Sequence, residues 1–312
     1  MKKIIALIIS LVFMFVMTAC GNEEAGSGNG GNGGAQNGGQ SNSENGGSQN
    51  NGGNGGESQK DPNTFEGVVF GEYGSDHNFK FTKKDGNKAT LVLEKIALQI
   101  SKEDAAQGGI NGAVDVIEVY TYDVTYTEKN GTYTAKGGLK SLAAKFNGSG
   151  AEGFKKMALE SIESDSKYDK AIKNLYEGKT LTNIEEIEYC TYQINETFNI
   201  TFNLKDGEMA VNGFSVEYTQ FGSQEKMKEV YTVILASANN LRISKVESFN
   251  NNVIEEKVEF NEVGKNPSDV WKTVTRYEDG KVSSVEKYDF NGKEINSGTL
   301  SDKVVVSHPD GK

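Results

Sequence analysis

Apolar and polar side chains alternate along several stretches of this chain, which is the pattern of a strand with one buried face. The clearest stretch places four apolar side chains on one face, at Phe198, Ile200, Phe202 and Leu204. Residues 114–126 alternate in the same way except at Glu118, and residues 91–100 form a third candidate. Successive side chains of a strand point to opposite faces of its sheet. The pattern therefore predicts half-buried antiparallel strands.

Asn-Gly and Asp-Gly dipeptides, which favour tight hairpin turns, punctuate these stretches. They stand at 85–86, 130–131, 206–207, 212–213, 279–280 and 291–292. Pro267 is the one proline in the interior of this region, which fits paired strands, because proline interrupts pairing. The sequence therefore predicts a meander of hairpins.

Two stripes of apolar residues at helical spacing interrupt the strand pattern. The first comprises Phe154, Met157, Ala158 and Ile162, and the second comprises Tyr168, Ala171, Ile172 and Leu175. Ser166 and Asp169 have the spacing of a capping box, so the two stripes predict separate helices. The expected fold is mainly β, of the α+β type, with antiparallel meander sheets and one helical pair around residues 152–177.

A short internal repeat lies near the end of the chain. The segment EKVEFN at 256–261 returns as EKYDFN at 286–291, and each copy predicts one hairpin. These segments are similar to the short aromatic and Asn-Gly-Lys hairpin repeats of bacterial surface proteins. Two copies are too few to form an independent solenoid.

The first twenty residues have the composition of an export signal. A short basic start is followed by fourteen residues, 4–17, that are apolar except for Ser10. This run is too short to span a membrane but fits a signal-peptide core. It ends at Met17-Thr18-Ala19-Cys20, which resembles the lipobox of bacterial lipoproteins.

The resemblance implies that residues 1–19 are a signal peptide and that Cys20 becomes the lipidated first residue, carrying diacylglycerol and palmitate. It also implies a lipid-anchored protein on the extracytoplasmic face of the cell membrane. The alternative is an ordinary secretory signal followed by a chance cysteine.

Residues 20–60 are predicted to be the lipidated cysteine and a disordered linker. In 21–60, 33 of 40 residues are Gly, Asn, Ser or Gln. Such a segment cannot bury enough apolar surface to offset its ordering entropy. Its root-mean-square reach is about 35 Å. Residues 61–312 form the predicted β-rich extracytoplasmic domain, with a possible subdivision near 180.

Charge and rare residues limit the chemistry. The formal charge of −11 argues against nucleic-acid binding, which needs clustered Lys and Arg. The chain has two histidines, of which His77 is interpreted as a solvated turn residue rather than half of a metal site. Cys190 lies in a strand-like run, 187–192, and is interpreted as a small buried residue. No catalytic constellation, metal site or cofactor is predicted.

Three tyrosines in one alternating run are the candidate binding residues: Tyr120, Tyr122 and Tyr126. If their shared face meets the helices, they belong to the core. If it meets solvent, they form a tyrosine-rich surface of the kind that binds glycans or proteins.

The sequence favours a membrane-anchored, non-enzymatic binding module for a protein, a glycan or a cell-wall component. One alternative is a carrier of a lipid or other apolar ligand in a cavity between sheet and helices, which requires the 198–204 side chains to line a void. Another is a hydrolase with two carboxylates in one concave site, both with perturbed pKa values.

Overall fold

The computed structural model describes residues 61–71, 76–162, 166–205, 207–236, 240–261, 270–289 and 293–299. The signal peptide, Cys20, the linker, His308 and the 291–292 dipeptide lie outside the described residues. The strands are β1 Thr64–Phe70, β2 Asp76–Lys83, β3 Lys88–Ile100, β4 Val114–Lys129, β5 Thr132–Asn147, β6 Gln193–Lys205, β7 Glu208–Gln220, β8 Lys226–Leu235, β9 Leu241–Asn250, β10 Val253–Phe260, β11 Lys272–Glu278, β12 Lys281–Tyr288 and β13 Glu294–Thr299. The helices are α1 Lys102–Gln107, α2 Ala151–Ser161, α3 Lys167–Tyr176 and α4 Ile184–Thr191.

The described residues form one sheet whose thirteen strands follow in chain order. Every consecutive pair of strands is antiparallel. The prediction of a mainly β fold built from antiparallel meanders is therefore confirmed. The same sheet continues on both sides of residue 180, because β5, which precedes it, is hydrogen-bonded to β6, which follows it.

The sheet closes on itself through its first strand. Strand β1 forms parallel bridges to β7, at Glu66 and Glu208, and to β9, at Phe70 and Arg242. Gly67 makes the closure possible, since a Cβ atom there would lie 2.1 Å from the carbonyl oxygen of Met209. We call β1–β9 the closed body and β10–β13 the terminal sheet.

Aromatic side chains fill the interior of the closed body. Phe198 and Phe202 of β6 are fully buried. The Phe81 and Phe202 ring centres lie 4.9 Å apart, and those of Phe79 and Phe214 lie 5.4 Å apart. The predicted alternation of β6 is confirmed, because these inward side chains alternate with polar ones that are at least partly exposed.

Most of the described turn dipeptides join hairpins as predicted. Residues 130–131 and 279–280 adopt positive φ angles between paired strands, and Gly86 and Gly207 do the same. The predicted turn at 212–213 is wrong, because these residues lie within β7. There Gly213 pairs with strands on both sides.

The predicted helical pair is confirmed as α2 and α3. The side chain of Ser166 caps α3 by accepting the backbone N–H of Asp169 at 3.1 Å. The strand-like interpretation of 187–192 is wrong, because α4 covers most of this run. Asn183 caps α4 in the same way, and the side chains buried along the helix are Ile187 and Thr191, one turn apart.

Helices α2–α4 connect β5 to β6 and cover one end of the closed body. Pairing between β5 and β6 stops at Gly138, and beyond it β5 bridges to Leu181 instead. The Phe146 ring of this extension lies 5.4 Å from the Tyr176 ring of α3, between ring centres. No helix in the described part of the chain is long and apolar enough to span a membrane.

The internal repeat corresponds to two successive hairpins, as predicted. Residues 256–260 lie on β10 and residues 286–288 lie on β12, the second strands of the β9–β10 and β11–β12 hairpins. Most described side chains of β10–β12 are only partly buried. The terminal sheet therefore extends beyond the closed body as strands with little fully buried surface.

Candidate functional site

The three candidate tyrosines lie on the inward face of β4. Tyr120 and Tyr122 are 8% and 1% exposed. The Tyr126 ring packs 5.5 Å from the Phe81 ring, between ring centres. The core alternative therefore describes these side chains, because they share a face with the buried Val114, Val116 and Val124. No exposed tyrosine surface forms at these positions, and a binding role for them stays a prediction.

A different group of aromatic side chains reaches the surface. We call Tyr168, Tyr189, Tyr192 and Phe221 the aromatic surface. The ring centres of Tyr168 and Tyr192 lie 5.8 Å apart, those of Tyr192 and Phe221 6.3 Å, and those of Tyr189 and Phe221 5.7 Å. All four side chains are accessible to solvent, and Phe221 is 40% exposed. They form a continuous apolar patch that no described residue covers completely.

Local structure fixes the positions of these rings. Tyr192 ends α4 in the left-handed conformation, with a φ of 56°, and its carbonyl accepts the Phe221 N–H at 3.0 Å. The Tyr189 hydroxyl donates to Glu185 at 3.0 Å, and Glu185 also pairs with Lys167. Helix α4 and the β7–β8 turn thus hold the rings in one place.

Tyr168 and Tyr189 add no charge to the aromatic surface. Burial and a hydrogen bond with Tyr192 raise the pKa of Tyr168 above its usual value. The hydrogen bond to Glu185 raises the pKa of Tyr189. Both tyrosines therefore stay protonated at neutral pH, and the formal charges nearby are those of the Glu185–Lys167 pair together with Asp169 and Glu188.

Sequence reasoning missed this surface because it treated 187–192 as a strand, which separates Tyr189 and Tyr192 onto opposite faces. The spacing of Ile184 and Ile187, followed by Thr191, is a helical signal that was available. Phe221 had no local signal, since it reaches α4 only through the pairing of β6 with β7.

A second site lies inside the closed body, at the end near the helices. We call it the mouth cavity; its volume is about 70 Å³. Its polar lining comprises His77, Lys95, Tyr120, Tyr122, Gln193, Glu196, Glu229 and Tyr231. It forms where the inward rows of β2, β3 and β4 change from apolar to polar, in the paired row His77, Lys95 and Glu118.

Glu196 is the most deeply buried charged side chain of the cavity, at 6% exposure. It lies in a bulge of β6 next to Asn195, which has a φ of 54°, and it shares the inward face with Phe198. The Tyr122 hydroxyl donates to Oε1 at 2.5 Å, whereas Oε2 is buried with no partner. Burial raises the pKa of Glu196 to about 7.

The sequence interpretation of His77 is wrong. It is not a solvated turn residue, because it lies in β2 and its ring packs 5.8 Å from Phe214 and 6.5 Å from Tyr231, between ring centres. Its Nδ1 atom is buried without a partner. Burial, followed by the charge of Lys95, lowers the pKa of His77 to about 4, so the ring is neutral at pH 7.

Two further tyrosine hydroxyls of the cavity wall donate to carboxylates two residues earlier on the same strand. Tyr120 donates to Glu118 at 2.7 Å, and Tyr231 donates to Glu229. Lys95 lies 3.8 Å from the same Glu118. The wall therefore combines hydrogen-bonded carboxylates, aromatic faces and one cation.

Other candidate chemistry finds little support in the described residues. Cys190 lies on α4, and burial raises the pKa of its thiol to about 12, which disfavours the reactive thiolate. Within the described ranges, no three His, Cys, Asp or Glu side chains lie close enough to share a metal ion.

A groove of about 900 Å³ runs along the seam between β1 and strands β7–β9. Its exposed apolar side chains are Val68, Phe70 and Leu235. Charges of both signs, including Lys80 and Glu208, line the same groove. It follows from the incomplete pairing of β1 with β7 and β9.

No family model, curated protein or solved structure matches this chain. A function for this chain is therefore inferred from its residues and their geometry.

Proposed function

We propose that the protein is a surface lipoprotein held on the outer face of the cell membrane by Cys20. The export signal and the lipobox-like residues that precede Cys20 support this anchor. The composition of residues 21–60 supports it as well, because a Gly- and Asn-rich segment of this length is suited to separate a folded body from a membrane anchor.

The body is a non-enzymatic binding module, and the aromatic surface is its contact with a partner. The observation that carries this proposal is a set of four neighbouring, solvent-accessible aromatic rings whose centres lie 5.7–6.3 Å apart. Tyrosine and other aromatic residues dominate the energy of protein interfaces, especially when polar groups surround them. The Glu185–Lys167 pair at the edge supplies such a rim.

A protein fits this surface better than a glycan does. Neighbouring rings are inclined at 52–83° to one another, so the patch is ridged rather than flat. A sugar ring stacks on one flat aromatic face, whereas ridged aromatic groups insert into the pockets of a protein partner.

The two other functions have less support. An apolar carrier needs the inward β6 side chains to line a void, but Phe198 and Phe202 contact other rings. A carboxylate hydrolase needs room for its substrate beside two carboxylates. Glu196 and Glu229 share a cavity of only about 70 Å³.

Cross-linking in intact cells tests the aromatic surface. A photoreactive amino acid at Phe221 is expected to give a discrete protein adduct. The same group at Val253, which is 49% exposed in the terminal sheet, serves as the matched control. Equal adducts from both positions, or none from Phe221, would contradict the proposal.

A binding assay then separates the kinds of partner. The double variant Tyr189→Ser and Phe221→Ser is expected to weaken binding of the cross-linked protein roughly tenfold or more, as loss of interface hot spots does. Tyr277→Ser, at a partly buried tyrosine of β11, is the control. A different result would identify a wall glycan as the partner instead of a protein. In that case the unmodified protein binds purified cell wall, the double variant does not, and no protein adduct forms.

The anchor has its own test. Cys20→Ser is expected to release the protein from isolated cell envelopes, because the acylation site is gone. Full retention of this variant would contradict the lipoprotein assignment but would leave the aromatic surface to be judged by the binding assay.

A further inference from the structure

The mouth cavity has a feature that the aromatic surface does not explain. Glu196 is more than nine-tenths buried, yet its Oε2 atom has no hydrogen-bond partner. A buried polar atom without a partner costs free energy that a bound hydrogen-bond donor recovers. The carboxylate is therefore arranged to receive a donor inside the cavity.

The remaining wall favours a positively charged donor. Aromatic rings stack in two pairs along it, Tyr120 with Tyr122 and Phe214 with Tyr231. Aromatic faces attract cations, and a carboxylate strengthens that attraction. Glu229 adds a second carboxylate to the wall, so an anion is repelled. The neutral His77 ring offers one nitrogen as a further acceptor.

We infer that the mouth cavity binds a primary ammonium group, which donates to Glu196 and lies among the aromatic rings. The cavity volume of about 70 Å³ limits the ligand to an ammonium ion or the end of an alkylamine. One water molecule needs about 10–15 Å³ of such space, so the cavity admits a group of only a few non-hydrogen atoms. This site is separate from the aromatic surface and does not depend on its role.

Lys95 is the one cationic side chain that lines this cavity, and it modulates the site. Its side chain is 40% exposed, and its Nζ atom lies 3.8 Å from Glu118 and 5.4 Å from the centre of the Tyr120 ring. A like charge that lines the same cavity repels an incoming ammonium group. Removing Lys95 should therefore tighten binding, whereas removing the charge of Glu196 should weaken it.

The site can be tested by titrating the full-length protein, in detergent, with methylammonium chloride. NMR monitors the binding. Binding in the millimolar range is expected, because so small a ligand has few atoms with which to gain affinity. Sodium chloride controls for ionic strength, tetramethylammonium for size and sodium acetate for the sign of charge. No response to methylammonium, or an equal response to acetate, would overturn the inference.

Two variants with opposite expected effects separate binding from damage to the fold. Glu196→Gln is expected to weaken methylammonium binding roughly tenfold or more, the effect of losing a charge-assisted hydrogen bond. Lys95→Gln is expected to strengthen it. Glu128→Gln, at an exposed position of the same β4–β5 hairpin that the cavity borders, should change nothing. Unchanged affinity in Glu196→Gln would refute the site.

The length of the amine distinguishes the source of the group. Tighter binding of butylammonium than of ammonium ion would assign the site to an amine carried on a longer molecule. The reverse order would assign it to the free ion. Either order supports an ammonium site, and neither depends on the protein partner of the aromatic surface.

Discussion

The closed body and the terminal sheet are stabilised in different ways, although both consist of antiparallel hairpins. In the closed body, one face of strands such as β4 and β6 is largely buried, and rings such as Phe79 and Phe198 contact each other across the interior. In the terminal sheet, few side chains are fully buried, and charged and aromatic side chains pair across neighbouring strands. Arg276, for example, forms ion pairs with Glu256 and with Glu286.

This difference predicts in which region a substitution should lower the free energy of unfolding most. Burial of apolar area stabilises about 25 cal/mol per Å², so a closed interior gains far more than an exposed sheet. Cross-strand pairs at the surface contribute a few tenths of a kcal/mol to about 1 kcal/mol each. The closed body should therefore unfold as a strongly cooperative unit, and the terminal sheet should depend on its attachment to β9.

The largest effect is expected from Phe198→Ala in the closed body. Phe198 is fully buried, so its loss leaves a cavity and should lower the free energy of unfolding by about 3–5 kcal/mol. Tyr277→Ala, at a partly buried position of the terminal sheet, should cost about 1 kcal/mol or less. Urea denaturation measures both, and equal losses would break the comparison.

The next effect concerns pH and depends on Glu196 and His77. Burial raises the pKa of Glu196 from 4.5 to about 7, so the folded state binds this proton more tightly than the unfolded state does. Stability should fall as pH rises from 4.5 to 7. Burial lowers the pKa of His77 from 6.5 to about 4, so its contribution to stability should rise with pH from 4 to 6.5.

Each contribution is about 3 kcal/mol, and the two oppose each other over pH 4.5–6.5. In Glu196→Gln the free energy of unfolding should therefore rise with pH, because only His77 still contributes. In His77→Gln it should fall with pH, because only Glu196 still contributes. Urea denaturation across pH 4–8, compared with Glu128→Gln, measures the difference. Parallel curves for both variants would show that these groups do not titrate as their burial requires.

A smaller effect is expected at the closure of the sheet. Gly67→Ala places a methyl group 2.1 Å from the carbonyl oxygen of Met209, so β1 has to move away from β7. The expected loss is about 1–3 kcal/mol, with faster hydrogen exchange in β1. Gly153→Ala is the matched control. It lies within α2, where the added Cβ makes only ordinary contact, and it should stabilise by up to about 1 kcal/mol.

Local periodicity made part of this fold predictable. The alternation from Phe198 to Leu204 needs only neighbouring residues to show which face is buried, and the capping pair of Ser166 and Asp169 marks the start of α3. The turn at 130–131 is equally local, because both residues must adopt positive φ angles. These features depend on short stretches of chain, so the sequence alone indicates them.

The closure and the candidate sites depend on distant residues. Gly67 meets Met209 only because seven strands curve around the interior, and no local pattern shows that curvature. The mouth cavity did leave a signal. Glu196 continues the inward alternation of Phe198, and His77 continues that of Phe79, so each places a titratable group on an apolar face. A titratable residue that continues the apolar face of a strand is therefore a sequence signal for a candidate binding site.

The smallest effect should come from the terminal sheet. Arg276 is about half exposed and pairs with a glutamate on each side, Glu256 on β10 and Glu286 on β12. Arg276→Gln removes both pairs but leaves the strand pairing intact, so the free energy of unfolding should fall by less than about 1 kcal/mol. Because these charges are accessible to solvent, the difference should shrink as salt is raised from about 0.1 to 1 M, over which the screening length falls from about 10 Å to about 3 Å.

Hydrogen exchange locates this effect, since the amides of β10–β12 should exchange faster in Arg276→Gln while those of β6 stay unchanged. Lys281→Gln, at an exposed position that begins β12, controls for the loss of a positive charge in the same sheet. A loss as large as that of Phe198→Ala, or one that persists in high salt, would mean that the terminal sheet is stabilised by buried contacts after all. The closed body and the terminal sheet would then be one cooperative structure, and the difference in their exposure would carry no difference in stability.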